Sequence, residues 1–488
     1  VITFAAWARM GRGRGGIMMV EMGDPARVAL DEAGKAMGGS AGRSAAEEAA
    51  AFLAANPAVE TIQAILVDIH GKARGKSVRR DKLAGLLESG VTLPNAPFSC
   101  DVWGKEMWQT GLVYETGDKD NACLPIPGTL KLQPWSEGRA AQVLVRPFTP
   151  EGAPNPVCPR TRLDEAVAAV GAHGLRPTVA FELEFYLFKA TPDSAPRPLD
   201  IEDGREGPRR AGIYGIDEMD RARPFLDLVA RYAEALGVPA DAALSEGGPG
   251  QFEINLLHRE DPMRAADDAF LFRRIVHAAA ETLGLRASFM PKPLIGQPGS
   301  GMHVHVSMRG DDGRNAFVGA EGQVRLERCI AGMLATMRDV QLIFSPGANG
   351  YRRTRWPVSP ANTITWGYDN RITALRIPNG PDAARRFEHR TPGADANPYL
   401  ALAAMLYGCA EGLDRRLEPP KAATGTAEGA GAKRQHREMF DAWQAFAQSA
   451  FARTRFGKPF HKAFTVVKEY ELSVMEGAIS PLEYEAYL

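Results

Sequence analysis

Four short stretches of the chain alternate apolar and polar residues with a period of two, the pattern of strands that pack one face and leave the other polar. In "FELEFYLF" (181–188) and the residues just before it, Val179, Phe181, Leu183, Phe185 and Leu187 form an apolar stripe, while Glu182 and Glu184 share the opposite face. "GQFEINLL" (250–257) sets Gln251, Glu253 and Asn255 against Phe252, Ile254 and Leu256. "MHVHVSM" (302–308) sets His303, His305 and Ser307 against Met302, Val304 and Val306; "RFEHR" (386–390) sets Arg386, Glu388 and Arg390 against Phe387 and His389. In a strand, the Cα atoms of Glu182 and Glu184 lie roughly 6.5–7 Å apart. Two carboxylates that close, on a strand whose other face is committed to a core, need a cation or a raised pKa. For one such pair alone, an ordinary sheet with one wet face is the better explanation. The recurrence of glutamates, a histidine pair and arginines on strands that could adjoin is harder to explain as solvation, which more often supplies Lys, Thr and Ser.

The remaining periodicity sets out the domains. "SAAEEAAAFLAANP" (44–57) opens with Ser44 and Glu47 at capping-box spacing and predicts a first helix. "TIQAILVDIHG" (61–71) predicts a strand ending at Gly71, and residues 80–89 a helix stopping at Gly90. Short strands such as "AAQVLVRPF" follow in a Pro- and Gly-punctuated region, so residues 41–152 are expected to form a small sheet-rich domain. "PEGAPNPVCPR" (150–160) reads as a linker. "TRLDEAVAAVGAHG" (161–174) then predicts a helix with Leu163, Val167 and Val170 on one face and Gly174 as its cap, opening a second domain over 157–488. "CIAGMLATMRDVQLIFS" (329–345) comes nearest to a membrane span, but Arg338 and Asp339 interrupt it, and it reads as a buried helix. "GTAEGAGAK" (425–433) reads as a loop.

Composition narrows the function classes. A chain of 488 residues with 45% hydrophobic and 24% charged content fits a soluble globular protein of two to three domains. With 58 basic and 59 acidic residues, nothing global points to nucleic acid or an anionic membrane, so function must reside in local sites. The five cysteines (Cys100, Cys123, Cys158, Cys329, Cys409) are scattered and form no CxxC pair, which argues for a reducing compartment and makes cytoplasm the expectation. Residues 1–40 place apolar before basic residues, the reverse of a secretory signal; they are expected to be a poorly ordered or mis-assigned extension, with Met18 or Met19 as starts.

The polar faces define a candidate ligand set: Glu182, Glu184, Glu246, Glu253, Glu388 and His303, hard oxygen donors with a single imidazole. That chemistry suits Mg²⁺ or Mn²⁺ in two or more sites. Arg353, Arg371, Arg376, Arg386 and Arg390 keep their charge and match carboxylate and phosphate geometry. Paired metals beside guanidinium groups are what phosphoryl transfer to an anionic acceptor requires. Two glycine-rich segments are set aside. "GKARGKS" (71–77) has three residues between its glycines where a P-loop needs four, and "GRGRGG" (11–16) follows no strand.

"FELEF", "EGGPGQFEIN", "FMPKPLIGQPGSGMHVHVSM", "DNRITALRIP" and "RFEHRTPGADANPYLALAAML" resemble, in order and spacing, the signature segments of the type I glutamine synthetase family, from about residue 58 to the C-terminal "ISPLEYEAYL". The resemblance implies an α+β protein in which an N-terminal β-grasp domain precedes a catalytic domain with a curved antiparallel sheet flanked by helices. It implies ATP-dependent phosphorylation of the glutamate γ-carboxylate and displacement of phosphate by an amine, with two or three Mg²⁺ or Mn²⁺ ions per site. Dodecamers of two hexameric rings, with active sites between subunits, are expected. By this resemblance Glu184, Glu246 and Glu253 hold the metal on the glutamate and amine side, and Glu182, His303 and Glu388 the metal that orients ATP. Gly299, Arg353 and Arg390 resemble glutamate-binding positions, and Tyr214 is a further substrate-binding candidate. His305, Ser307, Arg376 and Arg386 resemble nucleotide and phosphate contacts. Arg371 is expected to stabilise the transferring phosphoryl group, and Asp101 in "FSCDVWG" to reach a neighbour's site and help deprotonate the amine.

Departures from the family pattern bear on the amine. Ammonia-using members carry an asparagine where this chain has Pro298 and a flap glutamate at about the place of Ser359. The segment 413–433 contains no tyrosine, so control by adenylylation is not expected. The reading is a glutamate–amine ligase similar to the γ-glutamylpolyamine synthetase branch, using an organic amine such as putrescine, with Asp101 or Glu246 as base. Its rivals are a glutamine synthetase with an unusual flap and a catalytically silent homologue acting as sensor or scaffold.

Overall fold

The structure, a computed structural model, describes residues 44–190, 198, 212–355, 362–425 and 433–488. The expected extension over 1–40, Ser359 and most of the 425–433 loop lie outside the described residues. The first helix, Ala45–Ala55, starts as its capping box dictates: Ser44 N–H donates to Glu47 Oε2 (2.7 Å) and Glu47 N–H to Ser44 Oγ (3.2 Å).

Strands β1 (Thr61–Val67), β2 (Ala73–Arg79), β3 (Val91–Leu93), β4 (Asn121–Pro125), β5 (Lys131–Leu132) and β6 (Ala140–Phe148) form one sheet in the order β2-β1-β6-β4-β3, with β5 beside β6. β1 is shorter than the predicted 61–71 because the chain turns through Asp68–Lys72, with Gly71 at φ 75°. The predicted helix over 80–89 is a 3₁₀ turn, Arg80–Lys82, followed by the helix Leu83–Ser89, and Gly90 ends it as expected. The helix predicted to begin at 161 begins at Pro159, because proline is preorganised for the first helical position, and it ends at Gly171.

The second sheet contains β7 (Arg176–Lys189), β8 (Ala240–Ser245), β9 (Gln251–Leu256), β10 (Leu285–Ser288), β11 (Met302–Arg309), β12 (Trp366–Tyr368), β13 (Leu375–Ile377) and β14 (Phe387–His389). Its order is β12-β13-β14-β11-β7-β9-β8, with β10 against the end of β7. All pairings are antiparallel except β12 with β13, which is parallel. Thus the four period-two stretches are consecutive neighbours, β14-β11-β7-β9. Along β7, Val179, Phe181, Leu183, Phe185 and Leu187 are all fully buried. Phe185 sits among Phe225, Phe252, Phe272 and Phe289 beneath the helix Pro262–Thr282. Facing helices Gly319–Thr336 and Pro398–Asp414 approach so closely that a Cβ on Gly412 would lie 1.9 Å from the Arg328 carbonyl oxygen. The buried segment 329–345 is not one helix. The first ends at Thr336, and a separate short one, Gln341–Phe344, follows a turn at the interrupting charges.

Buried polar contacts tie the loops around the first sheet to helices of the later part of the chain. Asn397 Nδ2 donates to the Asp68 carbonyl (2.9 Å), and Glu471 on the helix Lys458–Glu476 accepts from Val102 N–H (2.7 Å) and pairs with His70 Nε2 (2.6 Å). Among the described residues, no helix is long and apolar enough to cross a membrane.

Candidate active site

Register brings the polar faces together. Glu184 stands opposite Glu253, Glu182 opposite His303, and His305 opposite Glu388. His303 lies at the centre of the carboxylates. Its Nδ1 is 3.3 Å from Glu182 Oε2 and 3.8 Å from Glu388 Oε1, and its Nε2 is 3.5 Å from Glu184 Oε1. His305 Nε2 bonds Glu182 Oε1 at 2.8 Å, while Arg386 Nε donates to His305 Nδ1 at 3.1 Å, which fixes the imidazole proton on the nitrogen facing Glu182.

Three groups of side chains present ligand atoms within 4.8 Å of one another: Glu184, Glu246 and Glu253; Glu182, Glu253 and His303; and Glu182, His305 and Glu388. The first matches one expected ligand set. The expected grouping of Glu182, His303 and Glu388 is spread over the other two, and His305, expected as a phosphate contact, joins them.

Electrostatics divide the cluster. Burial, followed by repulsion from Glu184 and Glu182, pushes the Glu253 carboxyl up to about 10; burial and Glu184 push Glu246 up to about 7. Burial also disfavours ionised Glu182, but its hydrogen bonds to His303 and His305 outweigh that and hold it well below the usual range. Glu388, likewise buried, is held down to about 2, chiefly by Arg390 and then by the histidines. Arg376 Nη1 donates to Glu388 Oε2 at 2.8 Å, and Arg390 pairs with its other oxygen. The protein therefore supplies too little positive charge to keep Glu184, Glu246 and Glu253 all ionised. Their all-oxygen donors fit a hard divalent cation such as Mg²⁺ or Mn²⁺.

Around the carboxylates, Arg353 is buried and donates to the carbonyls of Thr391 (2.9 Å) and Arg390 (3.2 Å). Gly299 and Gly301 let the backbone pass against it: a Cβ would lie 2.8 Å from Arg353 Cγ at the first and 2.6 Å from Arg353 Nη2 at the second. A cavity of ≈ 1150 Å³ opens beside Glu182 and His305, with Ser307, Arg386 and Arg325 on its wall. Ser307 Oγ donates to the Arg385 carbonyl at 3.0 Å. Arg376 does not line this cavity; it bridges Asp369 and Glu388. Arg371 is exposed and close enough to Glu246 to favour its charged form.

Two expected residues lie outside the cluster itself, Asp101 in its own loop and Tyr214 on a turn bonded to the residue before Glu246. Asp101 is buried within its own loop, where Oδ1 accepts from the amides of Trp103 (2.9 Å) and Lys105 (2.8 Å). Tyr214 is exposed on a turn beside Ser245. Sequence reasoning missed two supports. Gly301 N–H donates to Glu184 Oε2 (2.8 Å), and Tyr186 Oη donates to the Pro298 carbonyl (2.7 Å). The second was detectable, since Tyr186 continues the face of Glu182 and Glu184.

The family model for the glutamine synthetase catalytic domain matches residues 156–487. Among curated proteins, gamma-glutamylputrescine synthetase of Escherichia coli is 33% identical over 446 residues, 90% of this chain and 94% of the relative. Glutamate–isopropylamine ligase of a Pseudomonas species is 30% identical over 88% of this chain and 95% of its own. Glutamine synthetase of Pyrococcus abyssi is 30% identical over 73% and 76%. The solved structure of a GmaS/ADP complex superposes with a TM-score of 0.78 at 26% identity, covering 90% of this chain and 98% of its own. With these matches, and with its signature segments gathered around one carboxylate cluster, the chain belongs to the glutamine synthetase family.

Proposed function

We propose that the protein is an ATP-dependent ligase that joins the glutamate γ-carboxylate to an amine, and that the amine is organic, such as putrescine. The observation that carries this reading is the carboxylate–histidine cluster on four adjoining strands, with a cavity at its Glu182–His305 end and arginines around it. The two most similar curated relatives described above are named for ligation to putrescine and to isopropylamine, which supports an organic acceptor.

In this reading Glu184, Glu246 and Glu253 hold one Mg²⁺ or Mn²⁺, and Glu182, Glu388 and His303, joined by His305, hold a second or third. These ions supply charge neutralisation for the phosphates and the γ-carboxylate. His305, Ser307 and Arg386 serve the nucleotide end directly, and Arg376 serves it through Glu388. Gly299, Arg353, Arg390 and Tyr214 serve glutamate and the amine. Transfer of the γ-phosphoryl group breaks its bond to ADP and forms γ-glutamyl phosphate, with Arg371 countering the charge on the moving group. The amine must attack as a neutral nucleophile. Glu246 takes its proton as the new C–N bond forms and inorganic phosphate leaves. Asp101 is the second candidate base, contributed by a neighbouring copy in a dodecamer of two hexameric rings. The first sheet is proposed as a β-grasp domain over 41–152, and the compartment as cytoplasm.

The test is phosphate release from ATP with glutamate and Mg²⁺ or Mn²⁺, comparing ammonium with monoamines, polyamines, ethanolamine and aromatic amines. Turnover with organic amines above that with ammonium is expected. Preference for ammonium would make this a glutamine synthetase, and no release with any acceptor would sink the ligase reading.

A further inference from the structure

The turn Gly212–Gly215 is fastened to the residue before Glu246. Tyr214 N–H donates to the Ser245 carbonyl (3.0 Å), Gly215 N–H to Ser245 Oγ (3.1 Å), and Ser245 Oγ to the Gly212 carbonyl (2.8 Å). Tyr214 is held there at φ 60°, a left-handed conformation that costs a bulky residue energy and persists only when its surroundings impose it. The turn carries two large exposed side chains, Ile213 at 63% and Tyr214 at 61%.

One of them points toward the site. A Cβ built on Gly247 would lie 3.4 Å from Ile213 Cδ1 and 3.1 Å from Pro298 Cγ, so Ile213 and Pro298 flank the backbone next to Glu246. Pro298 is itself fixed through its carbonyl by buried Tyr186. A strained, clamped turn thus holds an aliphatic side chain beside Glu246, one of three carboxylates whose oxygens lie within 4.8 Å of one another.

We propose that Ile213, with Pro298, forms an apolar wall that seats the carbon chain of the amine while its nitrogen is directed at Glu246. This inference rests on the ligase reading and adds the specificity element to it. Ammonium has no carbon to place there and gains nothing from the wall. An alkylamine gains about three- to fourfold in affinity for each methylene it buries.

The experiment is kcat/KM for phosphate release across methyl-, ethyl-, propyl- and butylamine, with ammonium as the zero-carbon point, at saturating ATP and glutamate. Wild type should gain about three- to fourfold per methylene. Ile213→Ala should flatten that gradient with the KM for glutamate unchanged, and Ile213→Leu should retain it. An unchanged gradient in Ile213→Ala, or none in wild type while amines still turn over, overturns the wall and leaves the ligase reading standing. Loss of assembly mass with an unchanged gradient identifies Ile213 as a subunit contact and also overturns it. No release with any acceptor overturns both readings.

Discussion

Glu184 on β7 and Glu253 on β9 face each other directly across two antiparallel strands, and Glu246 completes a triplet with them. Like charges in that relationship are destabilising. Without a cation, the protein accommodates them by keeping protons on Glu253 and partly on Glu246.

Replacing Glu253 with Gln removes the need for that proton. Metal-free Glu253→Gln should therefore be more stable than wild type at pH 7.5, by about 1–2 kcal/mol. It should also lose most of the stabilisation that Mn²⁺ gives wild type. Denaturant melts with and without Mn²⁺ decide this; a less stable metal-free variant counts against the assignment.

The pH dependence follows from the same groups. Both carboxyls are raised from 4.5, Glu246 to about 7 and Glu253 to about 10, so the folded, metal-free protein binds more protons than the unfolded chain above pH 4.5. These two groups make stability fall as pH rises, most steeply up to about 7 and then through Glu253 alone. Glu182 and Glu388, whose pKa values are depressed, act in the opposite sense only below pH 4.5. Cation binding expels the retained protons, so Mg²⁺ affinity should rise with pH and binding at pH 7 should release protons. Calorimetry in buffers of different ionisation enthalpy reads that release directly.

Glu388 ties two guanidinium groups to the histidines. Glu388→Gln keeps an acceptor oxygen for one of them, so a cooperative melt should persist. Turnover should nonetheless fall on the order of a hundredfold or more, as metal-bound ATP loses its orientation. Wild-type turnover in this variant would contradict the metal role.

Far from the site, Glu471 is held down to about 2: burial opposes its charge, but Lys468 and then His70 outweigh it. Burial and Lys468 lower His70 as well, so Lys468 Nζ, 2.8 Å from Glu471 Oε2, supplies the main balancing charge. Stability from Glu471 is complete above its unfolded value of 4.5 and is lost as pH falls toward 2. Glu471→Gln should cost roughly 3 kcal/mol at pH 7 and flatten the acid limb of the stability curve. An unaltered acid limb would show that the His70–Glu471 contact, between the turn after β1 and the helix Lys458–Glu476, contributes little.

Much of the site was legible because a strand's faces follow from parity. Glu182, Glu184, Glu253, His303 and Glu388 could be assigned to polar faces from alternation alone, and the ordered motifs tied those faces together. Alternation is silent about partners far apart in sequence. It could not show that His305 faces Glu388 across β11 and β14, or that Arg376 turns from the cavity to bridge Asp369 and Glu388. The break after Thr336 is marked in the sequence by Arg338 and Asp339, but the apolar run on either side of them reads as one buried helix over 329–345. The turn at Ile213 and Tyr214 carries no periodicity at all. Its importance comes from hydrogen bonds to Ser245, thirty residues on.

β7 is at once a wall of the aromatic core and the bed of the carboxylates, and this makes the two sides of the strand unequal in what they tolerate. Exchanges on the glutamate side can retune chemistry while leaving the packed side intact. Gaining or losing one residue in mid-strand moves every downstream side chain to the opposite face, placing charge in the core and phenylalanine among the carboxylates. Length variation among homologous chains should therefore be confined to the segments beyond the ends of β7, with any change inside it coming in pairs.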